Sequence, residues 1–424
     1  MAVTNLIGSA RPVVSVLALM LALASTGCVT RTSGHPRSGP SSPPPIAIWP
    51  EWRPTDPVEH GVPDAPRGFK VEAANGEAIK MHRKSDAGPV ELWGLEESSP
   101  VSSHPVLTMV DRELVERWTW IIAVLEADES PMTTPDPLPN RRAVDGLLLV
   151  PRRRAAEFEP TLIVLLGSLA RYNPPEQWLT TALLERGFTV LLSSPPVASP
   201  LGPAGGRASI NPSAMPARAG RTLAREVDVA TGIWSVGLEA ILDRLDPPET
   251  RRFETIVLLG ASSGTVALPS VAIRLGSARR LAGFVFVGGG ADAGLILAET
   301  SLGSDDLRLE RSGGRLTPED HRRFVEETRR HATRDDREIW NWLDQHPSVI
   351  LEAGFDRAIP HGARRTLRER MPGAALWWYP LGHYGLFVLL STESETIVEW
   401  IVETLAERSS GMIPATSIDF RSDR

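Results

Sequence analysis

The chain has 424 residues, 42% of them hydrophobic and 23% charged, which fits a globular protein with a sizeable core. A formal net charge of −7 argues against a general nucleic-acid footprint, so no nucleic-acid partner is expected. A single cysteine excludes a disulfide framework and cysteine-rich zinc modules. No HExxH, P-loop or heptad pattern is present, and neither metal nor cofactor is expected.

At the amino end, Val13 to Ala24 form an apolar run of twelve residues. That is too short for a bilayer core of about 30 Å but has the length of a signal-peptide h-region. Ala24-Ser25-Thr26-Gly27-Cys28 then resembles a bacterial lipobox, in which the cysteine sulfur takes a diacylglyceryl group. Ser25 stands where leucine is usual. The expectation is a signal peptide over 1–27, lipidation at Cys28, and an exported protein anchored to a membrane of the cell envelope. Plain secretion to the periplasm or beyond, with Cys28 incidental, and an uncleaved anchor are the alternatives. Residues 28–68 are crowded with Pro, Ser and Gly, cannot bury much apolar surface, and read as a tether.

A folded domain is expected over 69–410, with a tail over 411–424. Ala143–Val150, Thr161–Leu166, Gly187–Leu192, Thr255–Leu259, Ala282–Val287, Ser348–Glu352 and Ala375–Tyr379 are short apolar runs. Runs of this kind suit strands buried on both faces of a parallel sheet. Helix-like stretches lie between them at Glu176–Arg186, Ala224–Arg244, Thr265–Leu275, His361–Arg370 and Glu393–Glu407. The alternation predicts an α/β fold with a mostly parallel, doubly wound sheet.

The chemistry centres on Gly260-Ala261-Ser262-Ser263-Gly264, a G-x-S-x-G between an apolar strand and a helix-like run. Such a turn strains the serine backbone, and a side chain at either glycine would clash with strand or helix. It also brings the serine to a helix N-terminus, where free N–H groups favour negative charge. A Gly/Ser-rich strand-to-helix loop is the bland alternative.

Here the sequence resembles the α/β-hydrolase superfamily, over roughly Ala143 to Glu407. The family's order is serine, acid, histidine. Ser348 to Pro360 (SVILEAGFDRAIP) matches the family's strand, turn and acid, which implies Asp356; Leu376 to Gly385 (LWWYPLGHYG) matches its last strand and loop histidine, which implies His383. The resemblance implies that Ser262 attacks a carbonyl, His383 moves the proton and Asp356 orients the imidazole. It implies oxyanion donors at the N–H of Ser263 and, from the loop after the Thr161–Leu166 strand, at Ser168, with Leu169 close behind. An exposed turn aspartate and a carbonyl-satisfied histidine are the alternatives for Asp356 and His383.

Three other patterns compete. Gly288 to Ala293 satisfies G-x-G-x-x-A after a strand, the shape of a dinucleotide fingerprint, but no strand ending in an acid follows at the right distance. Asp292 in the same stretch is an alternative acid, since some superfamily members place it there. His104, Asp145 and Ser262 have the chymotrypsin order without GDSGG or disulfides. Residues 293–346 are expected to form a helical lid insertion that covers the active site and shapes an acyl site; within it Thr317-Pro318-Glu319-Asp320 starts a charge-rich helix, followed by Trp340 and Trp342. A surface helix whose tryptophans pack on the domain is the alternative. The function expected is a serine hydrolase cleaving small-molecule carboxylic esters through an acyl-enzyme. A non-catalytic envelope scaffold, or an acyltransferase or peptidase using the same triad, is the alternative.

Overall fold

The computed structural model describes residues 30–32, 82–87, 90–97, 107, 109–126, 141–154, 159–168, 172–198, 215–300, 317–333 and 337–409. The expected signal peptide, Cys28 and the 411–424 tail lie outside the described residues, as does most of the expected tether.

Among the described residues, twelve strands form one sheet: β1 (Thr30–Thr32), β2 (His82–Ala87), β3 (Val90–Glu97), β4 (Val115–Glu126), β5 (Arg141–Pro151), β6 (Thr161–Leu166), β7 (Thr189–Ser193), β8 (Val197–Ala198), β9 (Thr255–Ala261), β10 (Arg280–Val287), β11 (Ser348–Ala353) and β12 (Ala375–Tyr379). Their spatial order is β1-β12-β11-β10-β9-β6-β7-β5-β4-β3-β2, with β8 paired to β5. From β7 through β12 the neighbours run parallel. β5, β4, β3 and β2 continue the sheet antiparallel on one side, and β1 closes the other side antiparallel to β12. From β4 to β12 this is the strand order of the α/β-hydrolase fold. The chain is an α/β protein with a mostly parallel, doubly wound sheet of that type.

The helices are α1 (Pro174–Glu185), α2 (Pro216–Leu245), α3 (Ser263–Gly276), α4 (Ala293–Glu299), α5 (Pro318–His331), α6 (Arg337–Leu343), α7 (His361–Arg370) and α8 (His383–Ser409). α1 and α8 cover one sheet face through Leu179, Leu183, Leu386, Leu390 and Ile401. α2, α3, α6 and α7 cover the other through Trp234, Leu238, Leu268, Val271, Leu343 and Leu367. Covering both faces is why β6 and β9 are buried at every residue and read as continuous apolar runs.

Between β10 and β11 the described residues form the helices α4, α5 and α6. Thr317 caps α5 by accepting the N–H of Asp320, Pro318 opens the helix, and Phe324 and Val325 pack with Ala219 and Leu223 of α2 and Ala298 of α4. Trp340 and Trp342 of α6 do not line an acyl site. Both are buried in the core on the α2–α3 face, where Trp342 meets the His346 ring at 4.8 Å and Trp340 faces the Arg370 guanidinium at 5.2 Å. Three strands that the apolar runs did not single out, β2 to β4, extend the sheet beyond β5. Among the described residues, no helix is long and apolar enough to cross a membrane.

Candidate active site

β9 ends at Ala261 and α3 begins at Ser263, so Ser262 is the whole turn between them. It adopts φ 50° and ψ −110°, a left-handed conformation that costs a non-glycine residue on the order of 1–3 kcal/mol. The flanking glycines make the turn possible. A Cβ on Gly264 would sit 2.0 Å from the Leu166 carbonyl oxygen, and one on Gly260 would lie 2.9 Å from the backbone of Gly264 and Thr265. The Ser262 N–H is tied to the Val287 carbonyl at 2.9 Å, which fixes the turn over the parallel β9–β10 pair.

The hydroxyl of Ser262 lies 3.2 Å from Nε2 of His383, the first residue of α8. Nδ1 of the same ring is 2.8 Å from Oδ2 of Asp356 in the turn after β11. The other Asp356 oxygen accepts the N–H groups of Ala358 and Ile359, each at 2.8 Å. With both carboxylate oxygens accepting, the ring hydrogen belongs on Nδ1, and Nε2 is left to take a proton from Ser262. Asp356 and His383 are buried, and Phe387, one turn along α8, supports the imidazole at 5.0 Å. Three loops from the carboxyl ends of β9, β11 and β12 thus converge on one relay.

Asp292, the alternative acid, is not part of it. Its carboxylate caps α4 by accepting the Leu295 N–H at 3.0 Å and is paired with Arg329 of α5. The glycines before it serve packing, since a Cβ on Gly289 would meet the Thr265 side chain at 2.2 Å. Asp145 is bound elsewhere too: it accepts the Tyr172 hydroxyl at 2.8 Å and the Ser194 N–H at 3.2 Å. His104 lies outside the described residues.

Ser263 begins α3, where its N–H has no partner one turn back in the helix, and its hydroxyl is 3.4 Å from the Gly167 carbonyl. Ser168 needs a correction. Its N–H donates to Oε1 of Glu176 at 2.6 Å, so it is spent on a carboxylate rather than aimed at a developing oxyanion. Leu169 lies outside the described residues.

Sequence reasoning saw Glu176 only as the start of a helix and missed its contact with Ser168. Asn173 caps α1 by accepting the Glu176 N–H at 3.1 Å, while the Asn173 amide donates to Glu176 at 2.9 Å and to the Ser168 hydroxyl at 2.6 Å. The Asn-x-x-Glu spacing of a capping box was the available signal. Burial pushes the Glu176 carboxyl up to about 7, against the lowering effect of the Ser168 and Asn173 hydrogen bonds. Among the described residues, no group of three or more His, Cys, Asp or Glu could hold a metal.

No protein-family model matches the chain, and no curated protein matches it. Solved structures do. Est1E from Butyrivibrio proteoclasticus is similar at 15% identity and a TM-score of 0.39, covering 62% of this chain and 96% of its own. The Pyrococcus furiosus esterase Pf2001 matches at 13% identity and 0.37, covering 62% and 88%. A cold-adapted esterase from an Arctic intertidal metagenomic library matches at 15% identity and 0.36, covering 77% and 97%. The fold itself is carried by the strand order and the strand-to-helix turn at Ser262 described above.

Proposed function

We propose that the protein is a serine hydrolase that cleaves small-molecule carboxylic esters through an acyl-enzyme. The observation that carries this reading is the continuous relay Ser262–His383–Asp356 on a strained strand-to-helix turn. Ser262 attacks the ester carbonyl as His383 Nε2 takes its proton, and the resulting imidazolium is stabilised by Asp356. The N–H of Ser263 and the N-terminal end of α3 favour the charge that develops on the carbonyl oxygen. His383 then returns the proton to the leaving alcohol, and water repeats the cycle on the acyl-serine. We further propose that the chain is exported and held to a membrane by lipid on Cys28.

A fluorophosphonate probe tests the first reading, together with acyl esters of graded chain length. The expected result is one label on Ser262, lost in Ser262→Ala along with turnover. Folded protein that neither labels nor hydrolyses any ester points to a scaffold, and preference for an amine or alcohol acceptor over water points to acyl transfer.

A further inference from the structure

Three of the five large hydrophobic side chains most exposed among the described residues gather beside the relay: Phe355 at 66%, Tyr384 at 72% and Val388 at 39%. Tyr384 and Val388 are one turn apart on α8 and share a face. The Phe355 N–H is tied to the Leu381 carbonyl at 2.9 Å, which brings it against the loop leading into α8. Its ring meets the half-buried Trp378 edge-on, with centroids 6.4 Å apart. Phe355 and Tyr384 directly adjoin Asp356 and His383 in sequence, so this apolar face borders the relay. Arg357, exposed, lies next to it in the same turn.

β1 says which way the chain enters. Thr30 pairs with Trp378 and Thr32 with Leu376, antiparallel. Passing from Thr32 back to Thr30 therefore leads toward the carboxyl end of β12, where Trp378 and the relay lie. Cys28 precedes Thr30 by two residues, a reach of at most about 7 Å. A lipid on that sulfur would enter its membrane on the side of the molecule that carries the relay and the aromatic face.

We infer that the Phe355, Trp378, Tyr384 and Val388 face is a bilayer-docking surface, and that acyl esters presented by the membrane are the substrate class. This rests on the esterase and lipid-anchor readings above. Tyrosine and tryptophan suit the interface because one end is apolar and the other polar, and Arg357 adds attraction to anionic headgroups.

The test uses the full chain on vesicles of phosphatidylethanolamine and phosphatidylglycerol. Cys28 is the chain's one cysteine and is consumed by acylation, so Val388→Cys carries an environment-sensitive dye alone. Glu249→Cys, exposed just before β9 at the sheet's opposite end, is the control. Nitroxide lipids should quench the dye at 388 several-fold more than at 249. Vesicle-bound protein with equally weak quenching at both sites overturns the docking surface and leaves the anchor standing. Protein that does not float with vesicles overturns both. In a second arm, Phe355→Ser should lower turnover of vesicle-embedded diacylglycerol at least tenfold relative to a water-soluble acetate ester, and an unchanged ratio overturns the substrate assignment. Wild type that docks yet cleaves neither ester removes the esterase reading while the docking surface stands.

Discussion

Asp356 and Asp292 occupy comparable loops after adjacent strands, yet only Asp356 faces His383, at 2.8 Å, while Asp292 turns away onto Arg329. The difference lies in what each loop offers. Ala358 and Ile359 hold one Asp356 oxygen so that the other points at the ring, whereas the left-handed backbone of Asp292 directs its carboxylate to the start of α4.

Asp356→Asn should therefore cut kcat by about 10⁴ with the fold intact, because a neutral amide favours the wrong imidazole tautomer. Asp292→Asn should leave kcat within a few-fold and lower stability by about 1–2 kcal/mol, through the weakened cap and the loss of the ion pair with Arg329. Steady-state kinetics and thermal unfolding of both variants decide this. A larger kcat loss in Asp292→Asn would move the acid one strand over.

Ser262→Ala and His383→Ala should each lower kcat by at least about 10⁴, and the double variant should be no worse than the more damaged single. Additive losses would mean that the two side chains do not act as a unit.

Gly264→Ala places a methyl group 2.0 Å from the Leu166 carbonyl oxygen, so β6 and α3 must separate. The expected cost is on the order of 3 kcal/mol or more, with loss of fluorophosphonate labelling in whatever remains folded. A melting temperature near that of the wild type would show that the turn is far softer than its contacts imply.

Two buried groups give stability opposite pH slopes. Glu176, raised to about 7 chiefly by burial, contributes fully below its ordinary value of 4.5 and loses that contribution as pH rises to about 7. His346 is lowered to about 4 by burial and by Arg408, so its contribution is present above 6.5 and lost as pH falls toward 4. Each shift corresponds to on the order of 3 kcal/mol, and the two offset one another through most of this window. Glu176→Gln should therefore become less stable as pH falls from 6.5, and His346→Gln less stable as pH rises from 4.5 to 7. Denaturant titrations at several pH values that run parallel to wild type in both variants would refute the assignment.

The central strands were legible in the sequence because burial on both sides leaves an unbroken apolar run, as in Thr161–Leu166, whose limits the structure reproduces. Ala375–Tyr379 was found by the same apolar run, although Leu376 and Trp378 on its outer face are only half-buried. The serine turn was legible because its glycines answer a steric demand. β4 carried a usable signal, with Trp118, Trp120, Ile122 and Val124 toward one face and Ile121, Ala123 and Leu125 toward the other. β1 carried none, since an edge strand pairs through its backbone and Thr30–Thr32 needs no pattern to do so. The partner of Ser168 was hidden for a different reason. Which acceptor meets that N–H depends on where α1 sets Glu176, and loop geometry is not written in residue type alone.

Thr30–Thr32 also bears on how the protein behaves once shortened. β12 is the last parallel strand, and β1 is what occupies its outer hydrogen-bonding edge. A chain begun at residue 69 would leave the backbone of Leu376 to Trp378 without that partner, beside an aromatic surface already open to solvent. An open edge of that kind invites pairing with another molecule, strand to strand. The shortened protein should self-associate with rising concentration, and the few residues after Cys28 are then what keeps one copy from recognising the next.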